Sequence, residues 1–407
     1  MALIVQKYGG SSVADAEKLR NVARRIASTR AAGHQVVVVV SAMGDTTDEL
    51  IALAGQVTEH PDPREMDLLL STGETISVTL LSMALHSLGH DAISLTGAQA
   101  GIQTDSLFSR ARILSVEPTR VLQEIEEGKV VIVAGFQGIS AEQDITTLGR
   151  GGSDTTAVAL ACTLNAQECQ IFTDVPGVFT ADPRVVPAAQ KLTEISYDEM
   201  LELASLGAKV MHPRSVELGA VYNIPILVAS SFSNEAGTLI HGRLQMELRN
   251  KVRGIAHDRD VAKITVVGVP DRPGIAASVF APLAAAGLSV DTIVQNASLN
   301  KITDLTFTVA KSDLARALAL IQPMAKEIGA RECLSDGSLG KVSIVGNGIQ
   351  NAPGYAARMF ETLFNEGINI EMITTSEIRI TCVIAEERVQ DAVRALHRAF
   401  ELENPED

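Results

Sequence analysis

Two kinds of hydrophobic pattern alternate along the first 230 residues. Short, mostly β-branched apolar runs predict buried strands, and apolar residues three or four positions apart predict helices between them. Leu19, Val22 and Ile26 form one such helical face. This alternation predicts a mostly parallel sheet with helices on both faces. The predicted strands are residues 3–7, 35–40, 92–95, 130–133, 170–172 and 224–229.

The second half of the chain repeats itself. Residues 263–268 (KITVVG) correspond to 341–346 (KVSIVG), and residues 287–291 (GLSVD) correspond to 367–371 (GINIE). A Pro-Gly pair lies between the two matches in each copy. Each copy is predicted to run strand, Pro-Gly turn, helix, strand, strand, helix, so the tail holds two α/β modules of roughly 70 residues each. Residues 252–258 are predicted to add a strand to the second module rather than the first.

Composition narrows the classes of function. The chain has 407 residues, 46% of them hydrophobic, with a net charge of −15, 3% aromatic residues and no Trp. An acidic chain with few aromatic residues is a poor candidate for binding nucleic acid or an anionic membrane. The four cysteines lack metal-binding or redox spacing, which favours a reduced cytosolic protein. No apolar run approaches the roughly 20 residues of a membrane span, and the N-terminal apolar run is too short for a signal peptide.

The stretch LGRGGSDTT at 148–156 is the strongest candidate for chemistry. Its glycines indicate a tight turn or a close backbone approach, and the small apolar residues that follow predict a helix. Ser153 and Asp154 therefore lie near a helix N-terminus, which attracts anions, and Arg150 suits a carboxylate or a phosphate. Such turns also occur simply to reverse the chain, so the glycines alone do not decide between the two interpretations.

Other candidates follow predicted strands. Lys7 ends the first strand and leads into Gly9 and Gly10, a strand–turn–helix layout suited to phosphate, although no Walker P-loop occurs. The polar loop 41–48 follows the second strand. Glu74 is predicted at a helix start, where it either favours the helix dipole or holds a substrate ammonium. In the loop after the fifth strand and beyond it, Asp174 suits hydroxyls, Phe179 a flat ring, Arg184 a phosphate, and Lys209 is a further candidate cation.

Five motifs in this order resemble aspartate kinase, and the tail resembles a tandem pair of ACT domains. The motifs are KYGGSS (7–12), SAMG (41–44), GRGGSD (149–154), TDVPGV (173–178) and KVMHPR (209–214). The resemblance implies an amino-acid-kinase-like, mostly parallel sheet sandwiched by helices, followed by two ferredoxin-like βαββαβ ACT modules. The implied parts are a kinase catalytic domain at 1–244, a linker or strand at 245–260, and ACT modules at 261–336 and 337–407. A homoserine dehydrogenase extension is absent from the sequence, which implies a monofunctional enzyme.

The resemblance implies ATP-dependent phosphorylation of L-aspartate to 4-phospho-L-aspartate, with Mg²⁺. This is the first step towards threonine, methionine and, through diaminopimelate, lysine. Lys7, Asp154 and Lys209 are the implied catalytic residues, and no dedicated protein metal site is implied. The implied aspartate-binding residues are Ser41, Asp45, Thr46, Thr47, Asp48, Glu49, Glu74, Arg150, Gly151, Gly152 and Ser153. The implied ATP-binding residues are Lys7, Tyr8, Gly9, Gly10, Ser41, Thr173, Asp174, Val175, Phe179, Thr180, Arg184 and Lys209.

The tail implies feedback inhibition by lysine, threonine or both through the ACT modules. It also implies a homodimer or hetero-oligomer assembled through these modules, a cytoplasmic location, and neither nucleic acid nor membrane as a partner. Met246 permits an internal start that would produce a separate regulatory subunit. The implied effector residues are Asp271, Arg272, Pro273, Gly274, Ile275, Ala276, Ser289, Val290, Asp291, Gln295, Tyr355, Ala356, Asn369, Ile370, Ser376 and Glu377.

Two alternatives stay open at this point. One is another amino-acid or carbamate kinase, against which Arg150, Glu74 and the tandem modules argue. The other is a non-catalytic amino-acid sensor that keeps the kinase fold. The sensor predicts loss of Lys7, Asp154 or Lys209, and all three are present.

Overall fold

The computed structural model describes residues 2–208, 210–242, 251–296, 301–350 and 352–404. The chain divides into two compact units, one of Met1–Phe179 with Lys191–Glu247 and one of Thr180–Gln190 with Leu248–Asp407. The predicted boundary at 244/245 and Met246 lie outside the described residues. The sequence did not predict that residues 180–190 belong to the second unit.

The first unit contains twelve strands and seven α-helices within its described residues. The strands are β1 (Leu3–Tyr8), β2 (Gln35–Val40), β3 (Ala92–Leu95), β4 (Ile102–Thr104), β5 (Ile113–Val116), β6 (Val130–Ala134), β7 (Gln137–Ile139), β8 (Ile145–Thr147), β9 (Glu168–Thr173), β10 (Glu194–Ser196), β11 (Ile226–Ser230) and β12 (Thr238–His241). The helices are α1 (Ala16–Ala31), α2 (Thr46–Val57), α3 (Pro63–Ser87), α4 (Thr119–Glu126), α5 (Gly152–Thr163), α6 (Tyr197–Ser205) and α7 (Pro213–Tyr222).

Eight strands form the main sheet, in the order β10-β12-β11-β9-β1-β2-β6-β3. All neighbouring pairs are parallel except β11 with β12. The central strand β2 is a run of five valines after Gln35, and all five are buried, as expected of a parallel strand covered on both faces. The predicted fold class is therefore confirmed. A second sheet of four short strands, β5-β4-β7-β8, was not predicted.

Helix α3 corrects one prediction. Glu74 was expected at a helix start, but it lies in the middle of a 25-residue helix that begins at Pro63. Gly73 does not break this helix, because it lets α3 approach the loop after β2: a Cβ at Gly73 would lie 2.8 Å from the Cβ of Ala42. By length and composition α3 is also apolar enough to cross a membrane. Half of its apolar 18-residue window, however, is buried inside the protein. Core helices pass the same test, so this is weak evidence for a membrane span.

The second unit is built on one six-stranded antiparallel sheet, in the order β14-β15-β13-β16-β18-β17. Its strands are β13 (Gly254–Pro270), β14 (Ile293–Gln295), β15 (Ile302–Val309), β16 (Glu332–Val345), β17 (Met372–Thr375) and β18 (Arg379–Ala385). Its helices are α8 (Ile275–Ala285), α9 (Leu314–Glu327), α10 (Tyr355–Asn365) and α11 (Val389–Ala399).

Two long strands interlock the repeated modules. The later part of β13, residues 262–270, pairs with β15 of the first module, whereas its first part, residues 254–258, pairs with residues 341–345 of β16 in the second module. The prediction that residues 252–258 contribute to the second module is confirmed for 254–258. The second module thus has its βαββα run completed by a strand that precedes the first module in sequence.

Candidate active site

The carboxyl ends of the parallel strands bring the first candidates together. Lys7 lies at the end of β1, and its ammonium is 2.7 Å from a carboxylate oxygen of Asp154. Asp154 lies in the first turn of α5, whose free N–H groups add positive potential. Both side chains are almost buried, with 11% and 12% exposed. The site therefore holds a fixed, desolvated ion pair at a helix N-terminus, where added negative charge is favoured.

The glycine-rich stretch ends in a turn that only glycine fits. Gly151 caps α5 with φ of +69°, and a Cβ there would lie 2.3 Å from His212. Arg214 holds the same turn, because its guanidinium donates to the carbonyl oxygens of Leu148 (2.8 Å) and Ala111 (3.1 Å). His212 and Arg214 both belong to the KVMHPR motif, yet the sequence analysis assigned them no role.

Asp67 is a structural residue that the sequence analysis missed. It is fully buried in α3, and its carboxylate accepts hydrogen bonds from the N–H of Ser109 and from both the N–H and the hydroxyl of Thr147. Thr147 ends β8 immediately before the glycine-rich stretch, so Asp67 fixes where that stretch begins. The available signal was an acidic residue next to the apolar run 68–70.

Glu74 points one free oxygen into the interior. Its Oε1 accepts a hydrogen bond from the Ala42 N–H (3.0 Å), whereas its buried Oε2 has no hydrogen-bond partner in the described structure. Burial raises the pKa of Glu74 to about 7. A buried carboxylate oxygen without a partner is costly, and a bound cation would compensate it. Since Ala42 follows Ser41, Glu74 and Ser41 come from the same corner of the site.

The remaining aspartate candidates lie around the N-terminus of α2 or on the glycine-rich turn. Asp45 precedes α2, Thr46 begins it, and the Thr46 hydroxyl donates to the Met43 carbonyl (2.6 Å). Asp48 and Glu49 are exposed in the first turn of that helix. Arg150 is exposed, and no ion pair to it occurs among the described residues.

Residues 173–179, which are predicted to hold the nucleotide and are named here the nucleotide loop, begin at the end of β9 in the first unit. The Thr173 hydroxyl donates to the Asp174 carboxylate (3.1 Å), and the Thr173 carbonyl accepts from the Ser231 N–H (2.8 Å). Phe179 is half-buried, and its backbone forms an isolated antiparallel β-bridge with that of Lys191. Tyr8 differs from the expectation for a ligand contact, since its ring is fully buried and stacked on Phe172 at 4.9 Å. The Tyr8 ring is therefore not available to a nucleotide, and the Tyr8 carbonyl oxygen already accepts from the Ser41 N–H (3.1 Å).

Two ATP candidates belong to the second unit. The Thr180 hydroxyl is hydrogen-bonded with His397 there, and Arg184 pairs with Asp182 at 2.8 Å. Their ATP role stays a prediction. Lys209 lies outside the described residues.

The effector candidates occupy equivalent places in the two modules. Gly274 and Gly354 cap α8 and α10 with φ of +90° and +103°. Val290 precedes β14 as its counterpart Ile370 precedes β17, and Ser376 lies in the turn after β17. The Tyr355 side chain is already occupied, because its ring stacks on Phe400 and its hydroxyl accepts from the Lys251 N–H. The other predicted effector residues lie beside these, in 271–276, 289–295, 356, 369 and 377.

Comparison with known proteins assigns the family. Residues 2–230 match the model of the amino acid kinase family, and residues 263–323 and 342–400 each match an ACT domain. An aspartokinase of Pseudomonas aeruginosa is 52% identical over 407 residues, covering 100% of this chain and 99% of that protein. The chain belongs to the aspartokinases. It is accordingly a kinase with two ACT domains, as the motifs indicated.

Two solved structures of one aspartokinase contain ligands. Escherichia coli aspartokinase III in complex with aspartate and ADP, in the R-state, superimposes with a TM-score of 0.82 at 28% identity. The same enzyme in complex with lysine and aspartate, in the T-state, gives a TM-score of 0.74. Both comparisons cover 98% of this chain and 99% of that one.

Proposed function

We propose that this aspartokinase transfers the γ-phosphoryl group of ATP to the side-chain carboxylate of L-aspartate, giving 4-phospho-L-aspartate and ADP. The observation that carries the proposal is the buried Lys7–Asp154 pair at the N-terminus of α5. A relative that is similar over 98% of this chain binds aspartate and ADP, which supports both substrates.

Charge is the main obstacle to this reaction. The attacking carboxylate is already ionised at pH 7, so the site needs no strong base. It must instead bring two anions together, by positioning and by neutralising their charge. Lys7 has its ammonium at the end of β1 for this purpose, and Asp154 fixes that ammonium so that no side-chain reorganisation is needed. We assign Lys209 as the second cation and the Gly9 and Gly10 N–H groups as further phosphate donors.

Aspartate recognition is assigned to opposite charges. The free Oε2 of Glu74 would accept the substrate ammonium, and Arg150 would pair with the α-carboxylate. Ser41 and Thr47 would orient the reacting end. This division explains why a carboxylate is buried beside Ala42 with one oxygen unused.

The nucleotide is assigned to the nucleotide loop. Asp174 would accept ribose hydroxyls and Phe179 would pack against the base. Mg²⁺ commonly binds through phosphates and one or two carboxylates, so it would arrive with ATP, and Asp154 is the acidic side chain nearest to Lys7 for a water-mediated contact. The metal would neutralise phosphate charge.

We further propose that lysine and threonine inhibit the enzyme through the ACT domains and that the enzyme acts in the cytoplasm, at the head of the lysine, threonine and methionine pathway. The lysine-bound relative supports lysine as an effector. Assembly through the ACT domains, as a homodimer or a hetero-oligomer, belongs to the same proposal.

ADP release from Mg-ATP tests the proposal with aspartate, glutamate and N-acetylglutamate as acceptors. Of the three acceptors, we expect only aspartate to support turnover. We expect inhibition of that turnover when lysine, threonine or both are added. Turnover with another acceptor would assign a different amino-acid kinase. Absence of turnover, with lysine or threonine still binding, would favour the non-catalytic sensor.

A further inference from the structure

One segment between two strands of the kinase sheet packs into an ACT domain core. Residues 180–190 lie between β9 and β10 in sequence, yet they belong to the second unit. Ala181, Val185 and Val186 are 4%, 8% and 4% exposed, and they pack in the core of the second module with residues such as Leu396 and Phe400. Removing three apolar side chains from water stabilises this arrangement.

Thr180 anchors the start of this segment. Its hydroxyl oxygen lies 2.8 Å from the Nε2 of His397 and accepts a hydrogen bond from the Gln190 N–H at 2.9 Å. Its carbonyl oxygen accepts from the Ile255 N–H at 2.7 Å. Three partners from separate parts of the second unit therefore hold one residue.

His397 is specialised for this contact. It is fully buried on α11, and its other ring nitrogen, Nδ1, has no hydrogen-bond partner in the described structure. Burial lowers the pKa of His397, which keeps the ring neutral. The bond to Thr180 is thus the hydrogen bond by which the structure orients this ring.

The segment continues into the nucleotide loop through a short ladder. Thr180 donates its N–H to the Gln190 carbonyl (2.9 Å), Phe179 bridges to Lys191, and Leu192 donates to the Val178 carbonyl (2.8 Å). The Cα atoms of consecutive residues are only about 3.8 Å apart, so Phe179 must move when Thr180 is displaced.

We propose that residues 180–190 carry the effector signal from the second ACT domain to the nucleotide loop, with His397 as the positioning residue that holds Thr180. This inference rests on the proposed function, because the nucleotide role of the loop is part of it. An effector that repacks α11 moves His397, and the nucleotide affinity changes with the position of Phe179. Such coupling requires only that the effector binds two arrangements of the module differently.

Calorimetric titration of the full-length enzyme with Mg-ADP, with and without saturating lysine or threonine, tests the inference. In the wild type we expect an effector to weaken ADP binding at least about fivefold, the low end of common allosteric couplings. His397→Leu has nearly the volume of histidine and should reduce that ratio below about twofold, with kcat in the absence of effector largely kept. His397→Gln retains an amide that can bond to Thr180 and should restore most of the ratio.

Thr381→Val is the matched control. It removes a buried hydroxyl that is hydrogen-bonded to Ser343 at 2.8 Å in the same module, without touching residues 180–190. It should keep the wild-type ratio. The inference is overturned if His397→Leu keeps that ratio, if Thr381→Val loses it equally, or if neither effector alters ADP binding in an active wild type. A wild type without aspartate-dependent turnover would instead remove the proposed function.

Discussion

The ammonium of Lys263 lies 2.9 Å from a carboxylate oxygen of Glu371, and these two residues belong to different ACT modules. The counterpart residues of the repeat, Lys341 and Asp291, form the reciprocal ion pair. Each module therefore offers a lysine from its first strand to an acidic residue of the other. The internal repeat, visible in the sequence as KITVVG and KVSIVG, is used in the fold to tie the two copies together.

The reciprocal pairs predict an asymmetry in stability. The Lys341 side chain is 7% exposed, whereas that of Asp291 is 53% exposed. Asp291→Asn leaves a buried ammonium without its counter-ion and should lower the free energy of unfolding by about 3 kcal/mol. Lys341→Met leaves a carboxylate that water can solvate and should cost about 1 kcal/mol or less. Urea unfolding of the full chain measures both, with Lys311→Met, in an exposed pair, as the reference.

Lys7→Met tests the role of the buried pair. Removing the ammonium leaves the developing phosphoryl charge without its fixed partner, so kcat should fall by about 10²–10³. Circular dichroism should stay unchanged. Lys18→Met, which removes a half-buried ammonium that pairs with Asp15 at the start of α1, should keep full turnover in the same assay. A Lys7→Met enzyme with near-wild-type kcat would exclude the proposed role.

Glu74 predicts a pH dependence of aspartate affinity. Its pKa is raised from the usual 4.5 to about 7, so the carboxyl is mostly protonated at pH 6 and mostly ionised at pH 8. Only the ionised form attracts the substrate ammonium, so KM for aspartate should fall about tenfold between pH 6 and pH 8 and then level off. Steady-state rates at saturating ATP give KM across this range.

Glu74→Gln separates this effect from other titrations. The amide cannot ionise, so the variant should have a raised KM for aspartate at pH 8 and little change in KM between pH 6 and pH 8. A variant that keeps the wild-type pH profile would show that another group titrates. The ATP KM provides the internal control, because Glu74 is not assigned to the nucleotide.

Local patterns predicted the parts of the fold that depend on local forces. The valine run of β2 and the apolar face at Leu19, Val22 and Ile26 could be assigned because burial follows directly from hydrophobic spacing. The predicted start of α3 was wrong because Ser71, Thr72 and Gly73 resemble the break between two helices. In the structure Gly73 instead allows close packing against Ala42.

Long-range packing could not be predicted in the same way. The apolar pair Val185 and Val186 gives no indication of which core it joins, and the buried Tyr8 ring looks like a ligand contact when only its motif is known. Lys7 and Asp154 were placed in one catalytic set by the resemblance to aspartate kinase, not by the hydrophobic pattern, and the structure confirms that they form a pair. The distance between the two charged groups and their burial could be known only from the folded structure.

The turn at Gly151 gives the last prediction. Gly151→Ala places a Cβ on a backbone with φ of +69° and 2.3 Å from His212, so the turn that begins α5 must move. Because Asp154 lies three residues further on, we expect kcat to fall at least tenfold, which corresponds to about 1.4 kcal/mol or more in the activation barrier.

Gly33→Ala is the control for backbone strain alone, because Gly33 has φ of +91° and no atom within 4 Å of an added Cβ. That variant should lose about 1 kcal/mol of stability and keep its turnover. Adding His212→Gly to Gly151→Ala removes all three His212 atoms that the new Cβ would meet and should recover part of kcat. Equal kcat in the single and double variants would assign the loss to strain in the turn instead.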